Sequence, residues 1–401
     1  MNISFINEEK QYWKLFLAGI VNGIGDRFSS VAVLAMLLHL TGSGLSVGMT
    51  LAIRLIPSLF FGPIGGILAD RFSRKTILVG TDLIRTLFAL SFIFVQSKED
   101  IWIVYVSSFI LAAGEAIYGP ARKSAIPRLV NKKHLVKVNS LEQVMIGFVL
   151  IIGTLSGGIV SSIFGPDVTY WLNAVSFLGA AAINYTIKFP ESENVKKVEK
   201  PKNLISTFKK VILMSASVQI LFFCEILIAS MNGIDNVLIS VYAINEYHLG
   251  DVGVGLFYGA LGIGLMLSFS VANQLRKNFL VTGLVCLLLE GIFQLLLSQT
   301  HFVFFAFLMF CGAAFMSGIC NACFDTILMK EIPEQHQGTI FGILATTLNT
   351  VLGISMLISG SALQYLTPRS LGLIGGIAYI FIAISLIVII STKTYRKRGT
   401  I

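Results

Sequence analysis

Long apolar runs separated by short polar turns fill nearly the whole chain. Twelve stand out, at 12–40, 44–69, 76–96, 101–119, 138–163, 168–187, 211–245, 252–275, 279–297, 301–329, 338–366 and 371–391. Each is about the length a helix needs to cross a bilayer, whose apolar core takes roughly 20 residues per span. The one hydrophilic interval of any length, 189–210, mixes charges of both signs with two prolines and has no apolar period, so it reads as a solvated linker. The pattern predicts an all-α membrane protein, with 12 transmembrane helices in two pseudo-symmetric six-helix bundles. The N-terminal bundle takes 1–188, the cytoplasmic central linker 189–210 and the C-terminal bundle 211–401.

Composition agrees. The 401 residues are 55% hydrophobic and only 13% charged, with a mean hydropathy of +0.81, whereas roughly a quarter of an average globular chain is charged. The net charge of +9 would suit a polyanion, but its distribution gives another cause. With the N-terminus inside, Lys10, Lys14, the turn at 71–75, the loop at 122–137, the linker, Arg276, Lys277, Lys330 and the tail from Lys393 to Arg398 all face the cytoplasm. Of the 30 lysines and arginines, only Lys98 and Arg369 fall outside, and Arg27, Arg54 and Arg85 lie within spans. This is the positive-inside bias. It predicts cytoplasmic termini and a lipid bilayer as partner, and it needs no nucleic acid. The first run is too long for a signal h-region and follows Glu8 and Glu9, so no cleavable signal peptide is expected. All five cysteines lie in spans of the second half, and Cys320-x-x-Cys323 reads as small apolar packing rather than redox chemistry. Nothing matches a phosphate-binding loop, a metal-ligand cluster or a hydrolytic triad. Neither enzyme activity nor a metal or cofactor is expected.

The halves repeat each other. Val21-Asn-Gly-Ile-Gly-Asp26 in the first span matches Met231-Asn-Gly-Ile-Asp235 in the seventh, and a His-Leu pair follows each aspartate at the same distance, His39-Leu40 and His248-Leu249. Glu115 of span four falls close to Asp325 of span ten in the same alignment. Gly158 through Pro166 resembles Gly360 through Pro368. These matches predict one fold used twice, related by an axis along the membrane normal.

The turn between spans two and three reads GILADRFSRKTIL, from Gly66 to Leu78. Gly65 and Gly66 let backbones approach closely, and Arg71, Arg74 and Lys75 hold the turn on the cytoplasmic side. Asp70 suits pairing with an arginine of the turn or receiving a neighbouring helix end. The ordered pattern G-x-L-A-D-R-x-x-R-K closely resembles the loop between the second and third helices of the major facilitator superfamily of transporters. Ser73 stands where that family usually has glycine. The second-half counterpart, ANQLRKN, keeps Arg276-Lys277 and loses the aspartate. In span five, Gly153-Thr-Leu-Ser-Gly157-Gly158 looks like the family's antiporter motif G-P-x-x-G-G, with threonine for proline. Two readings stand, close packing by small residues or an export-type helix whose glycines let the halves rock.

An ionisable group inside a span is costly, which makes each one a functional candidate with pairing as the alternative. Asp26 lies about 20 Å from the cytoplasmic end of its helix at 1.5 Å per residue, near mid-membrane. Asn22, Asp26, Ser29 and Ser30 form one polar stripe. Arg27 or Arg54 would be the partner of Asp26, which can exchange a proton only if its arginine can leave. In span seven Glu225, Asn232 and Asn236 share a stripe with Asp235 at its edge. Asp82 and Arg85, one and two turns past the opening loop, read as structural partners of Arg74 or Lys75. Glu290 of span nine has no assigned role. Tyr118, Tyr242 and Tyr258, with Asn22 and Asn232, are candidate substrate contacts.

The resemblance extends over the whole chain. Its opening third, with GDRFSSVAVLAMLLHLTGS, PARKSAIPRLV and LVKVNSL, looks closest to the bacterial macrolide and multidrug efflux branch. That likeness implies helices one, four, seven and ten around a central cavity, which puts Asp26, Glu115, Asp235 and Asp325 on cavity-lining helices, although pairing at the interface, such as Asp325 with Lys330, is the other account of Glu115 and Asp325. It also implies proton-driven export of small amphipathic compounds by alternating access, in a monomer of the bacterial plasma (inner) membrane. Many drug–proton antiporters of the superfamily carry an arginine in span four, where this chain reads FILAAGEAI, so coupling through Asp26 or Glu115 is the expectation. Export of an endogenous metabolite such as a siderophore or peptide antibiotic, nutrient uptake, and a non-transporting receptor or scramblase on the same fold are the alternatives.

Overall fold

The computed structural model describes residues 8–41, 44–189 and 216–398, so the linker expected at 189–210 lies, beyond Phe189, outside the described residues. Among the described residues every regular element is helical. Six long helices come before the linker: α1 (Lys10–Thr41), α2 (Gly44–Arg71), α3 (Arg74–Leu90), α4 (Ile101–Leu129), α5 (Leu135–Phe164) and α6 (Pro166–Tyr185). Six follow it: α7 (Ala216–Val241), α8 (Gly250–Ala272), α9 (Phe279–Gln299), α10 (Val303–Glu331), α11 (Gln337–Ala362) and α12 (Pro368–Arg398). Among the described residues nine helices, all but α1, α2 and α6, are long and apolar enough to cross a membrane. The other three run 32, 28 and 20 residues.

Local chemistry sets the turns. Gly165 has φ 84° and Pro166 opens α6, the residue order that suits a helix start after a tight turn. Before α4, Asp100 accepts hydrogen bonds from the backbone N–H and the hydroxyl of Ser97 at 2.9 and 2.8 Å, which closes a reciprocal cap. Pro57 and Pro63 sit inside α2, and Pro120 and Pro127 inside α4. Each removes one backbone donor, a loss that membrane helices tolerate when neighbours satisfy the freed carbonyl.

The chain packs as two compact units. Unit 1 gathers Met1–Lys133, Phe148–Ile212 and Ile332–Thr350, and unit 2 gathers His134–Gly147, Leu213–Glu331 and Val351–Ile401. In unit 1, α1 packs on α6, α2 on α4, and α3 on both α4 and α6. In unit 2, α7 packs on α12, α8 on α10, and α9 on both α10 and α12. Adding six to each helix number turns the first set into the second. This is the packing expected of a duplicated bundle.

Small residues permit these approaches. A Cβ on Gly264 of α8 would lie 2.4 Å from the Cys311 carbonyl oxygen and 2.9 Å from the Phe315 nitrogen, both backbone atoms of α10 that cannot swing aside. A Cβ on Gly259 of the same helix would meet nothing within 4 Å. Gly264→Val should therefore destabilise unit 2 by about 1–3 kcal/mol, the usual range for overpacking. Gly259→Ala should leave the protein unchanged. Thermal unfolding of the purified variants in detergent checks the contrast.

Candidate functional site

The polar residues of unit 1 converge on one buried guanidinium. Arg85 of α3 is 1% exposed. Its Nη1 lies 2.9 Å from Glu115 Oε2 of α4 and donates to Asn22 Oδ1 of α1 at 3.2 Å. Its Nη2 donates to Asp26 Oδ1 at 3.4 Å. The Phe177 ring of α6 covers the guanidinium face at 4.3 Å, a favourable placing for a desolvated cation. Gly114 makes room for the side chain, since a Cβ there would sit 2.8 Å from Arg85 Cγ.

Around this centre the remaining groups are taken up in turn. Arg54 of α2 reaches Asp26 Oδ2 at 3.5 Å and donates to Ser30 Oγ at 2.8 Å. Asp82, fully buried, accepts from Asn22 Nδ2 at 2.6 Å and from Asn184 Nδ2 at 3.0 Å. Asn173 of α6 donates to Ser29 Oγ at 2.6 Å. Buried charges persist in a low dielectric only when they are paired and hydrogen-bonded, and here three acids and two arginines share one network.

The network opens on one side into a cavity of about 440 Å³. Asp26, Arg54, Arg85 and Glu115 line it together with Leu111, Lys123 and, from α11, Phe341, Thr346 and Asn349. The Glu115 side chain is 57% exposed, so it faces this space while still holding Arg85. Four residues singled out in the sequence (Asp26, Arg54, Arg85 and Glu115) thus share one cavity. Tyr118 lies behind it, 3% exposed, with Asn184 Nδ2 3.4 Å from its hydroxyl.

One expected partnership is replaced. Asp82 and Arg85 do not serve Arg74 or Lys75. They stand 8 and 11 residues beyond Arg74 on α3, about 12 and 16 Å along the axis at 1.5 Å per residue, out of reach of the turn. Arg74 instead approaches Asp70 at 3.8 Å and donates to Ser124 Oγ at 3.2 Å, and Lys75 lies 4.4 Å above the Tyr185 ring. Of the two arginines expected for Asp26, Arg54 is the one that pairs with it and Arg27 is exposed, while Arg85 is a second partner that the sequence did not suggest.

The turn aspartate meets both partners that its position allowed. Beside Arg74, Asp70 accepts the backbone N–H groups of Gly338 at 2.8 Å and Thr339 at 2.7 Å, the first turn of α11. A carboxylate there satisfies orphan donors and the positive end of the helix. Glycines carry the approach. A Cβ on Gly66 would lie 2.3 Å from the Gly338 carbonyl oxygen, and one on Gly342 would lie 2.4 Å from that of Gly62. One turn further on, the Thr346 hydroxyl donates to the Ser58 carbonyl at 2.9 Å. Arg71 is exposed.

On α5, a Cβ on Gly153 would meet Arg27 Cβ at 2.7 Å, and one on Gly157 would meet Phe28 Cα at 2.9 Å, with Gly158 next in the helix. The motif supports close contact with α1. In unit 2, Tyr379 of α12 places its hydroxyl 3.0 Å from both Asn232 Oδ1 and Asp235 Oδ2. Tyr242 is 3% exposed and donates to the Pro368 carbonyl at 3.4 Å, and Tyr258 packs on the cluster that contains Phe257 and Phe310. Glu225 and Asp325 are partly buried on α7 and α10, and the Lys330 ammonium lies 4.6 Å from the Phe279 ring centre. None of these unit 2 residues lines the cavity.

Sequence reasoning missed Asn173 and Asn184, which orient Ser29 and Asp82. They are eleven residues apart on an otherwise apolar helix, a spacing that puts both on one face. That signal was present in the sequence.

An all-helical duplicated bundle with a charged internal cavity defines a membrane transporter. The chain belongs to the Major Facilitator Superfamily, which matches residues 15–356. It is 23% identical over 378 residues to the uncharacterized MFS-type transporter YfiS of Bacillus subtilis, which covers 88% of each chain. It is 22% identical over 396 residues to macrolide efflux protein A of Streptococcus pyogenes, covering 94% of this chain and 95% of that one. The fold superposes on the human organic anion transporter MFSD10 with a TM-score of 0.78 at 12% identity, over 94% of this chain and 99% of that one.

Arg85→Met would leave Asp26, Asp82 and Glu115 short of a cation and should cost about 3–5 kcal/mol, the penalty for breaking a buried pair. A lower unfolding temperature in detergent is the readout, with Arg85→Lys intermediate because an ammonium has no fork. Asp70→Ala should cost about 1–2 kcal/mol through loss of the α11 cap.

Proposed function

We propose that this chain is a proton-driven exporter of small amphipathic compounds, macrolides among them, that works by alternating access. The observation that carries the reading is the unit 1 cavity, in which Asp26, Arg54, Arg85 and Glu115 stand beside the apolar walls of Leu111 and Phe341. An amphipathic molecule needs both kinds of surface. Glu115 is the acid that meets it. A cationic headgroup would compete with Arg85 for this carboxylate, and the freed guanidinium would pass to Asp26, which already lies 3.4 Å from it. Binding would in this way change the charge pairing between α1, α3 and α4. The Asp70 contact with α11 would favour one conformational state. The likeness to macrolide efflux protein A supports export over uptake, and the bacterial relatives support a plasma (inner) membrane location with both termini in the cytoplasm.

Inverted membrane vesicles given a proton gradient and ethidium test this reading. Wild type should accumulate the dye, and Glu115→Gln and Asp26→Asn should fall to background at normal expression. If a panel of dyes and macrolides shows no gradient-dependent accumulation in wild type, proton-driven drug export is wrong, and a specific metabolite becomes the substrate to seek.

A further inference from the structure

Asp26 and Asp235 follow the same Asn-Gly-Ile motif in the two halves, four and three residues after its asparagine, and each stands thirteen residues before a His-Leu pair. Their surroundings differ. Asp26 is held by two arginines, with Arg54 at 3.5 Å and Arg85 at 3.4 Å. Asp235 is held by a phenol, and its electrostatic neighbour is a second acid, Glu290 of α9, which is 4% exposed. Among the described residues the side chain hydrogen-bonded to Glu290 is Ser317 of α10. The titratable groups bearing on the two acids are Tyr379 of α12, Tyr242 beyond the end of α7, Cys224 of α7, Cys286 of α9 and Cys320 of α10, and none of them is a base. Glu225 of α7 bears on Cys224 and Cys320 in turn.

Hydrogen counting points the same way. The Tyr379 oxygen is 3.0 Å from Asn232 Oδ1 and 3.0 Å from Asp235 Oδ2, yet a phenol has one proton to give. Both contacts are met when the Asn232 amide turns its N–H inward or when Asp235 carries a hydrogen of its own. One turn along α9 from Glu290, on the same face, Gln294 is a further buried polar side chain, 7% exposed.

Two carboxylates within the spans, with no cation paired to them among the described residues, need a mobile one. We infer that Asp235 and Glu290 form the proton-carrying pair of this transporter, with Tyr379 as the hydrogen-bonding link to Asn232, and that the unit 1 cavity binds substrate without carrying the coupling proton. The duplication supplied two equivalent polar centres. One kept its arginines and serves recognition, and the other has none and serves the proton. The transport arm of the test rests on the export reading above, but the spectroscopic arm does not.

The first arm uses proteoliposomes and ethidium. Glu290→Gln and Asp235→Asn should lose proton-gradient-driven accumulation while keeping ethidium counterflow, which needs binding and alternation but no coupling proton. A merely structural role would abolish both. Glu115→Gln should lose both. The second arm uses infrared difference spectra of the purified protein in lipid across a pH titration. The carbonyl stretch of a protonated carboxyl group should be present in wild type and in Asp26→Asn and absent from the Asp235→Asn/Glu290→Gln double variant. Gradient-driven accumulation that survives in both unit 2 variants, or a carbonyl band that the double variant keeps, overturns the inference, as does driven transport that follows a sodium gradient rather than pH. If wild type does not carry ethidium at all, the export reading falls and the infrared comparison still decides the pair.

Discussion

A cation almost cut off from bulk water must be met mainly by the protein itself, and in unit 1 that requirement falls on Arg85, 1% exposed. Its two Nη atoms take up an acid from α1, an acid from α4 and an amide from α1, and a ring of α6 closes its face. Four helices are thereby tied to one group. Side chains that contribute no charge follow from the same demand. Gly114 has to lack a Cβ, and Asn22 has to bridge Arg85 and Asp82 with both ends of its amide. The cavity inherits its chemistry from this arrangement, because the acids that neutralise Arg85 are also the acids that line it.

The two halves separate fold from chemistry. Their helices choose corresponding neighbours throughout, which is what a duplicated apolar scaffold allows, since packing in a membrane depends mainly on shape and small residues. Polar cores obey a different constraint. Each must satisfy its own acids, and the two halves do so in different ways: ion pairs around Arg85 in one, and in the other hydroxyl contacts, Tyr379 to Asp235 and Ser317 to Glu290.

Helices were easy to read from the sequence because lipid leaves the backbone little choice. The apolar runs marked each long helix among the described residues, with α5 starting at Leu135 rather than 138 and α12 running on to Arg398. The cost of burying charge likewise singled out Asp26, Arg54 and Glu115. Azimuthal neighbours were harder. Spacing along one helix gives depth and face but not which helix lies opposite, and this is why Arg85 was assigned to the turn rather than to Glu115. The contribution of α11 to the cavity, through Phe341, Thr346 and Asn349, had no charged residue to announce it. Asn173 and Asn184 could have been found by the same stripe test that found Asn22 and Asp26.

The contact of α2 with α11 is made by Gly62 and Gly66 against Gly342 and Gly338. Because main chain rests on main chain at these glycines, the side chains that the contact fixes are chiefly those of Asp70 and Thr346. Its spacing is set by covalent geometry rather than by adjustable packing, so it has no half-seated arrangement. In the alternating-access cycle proposed above, such a joint would act as a detent, either engaged or clear, with the charged cap at Asp70 setting how firmly it holds.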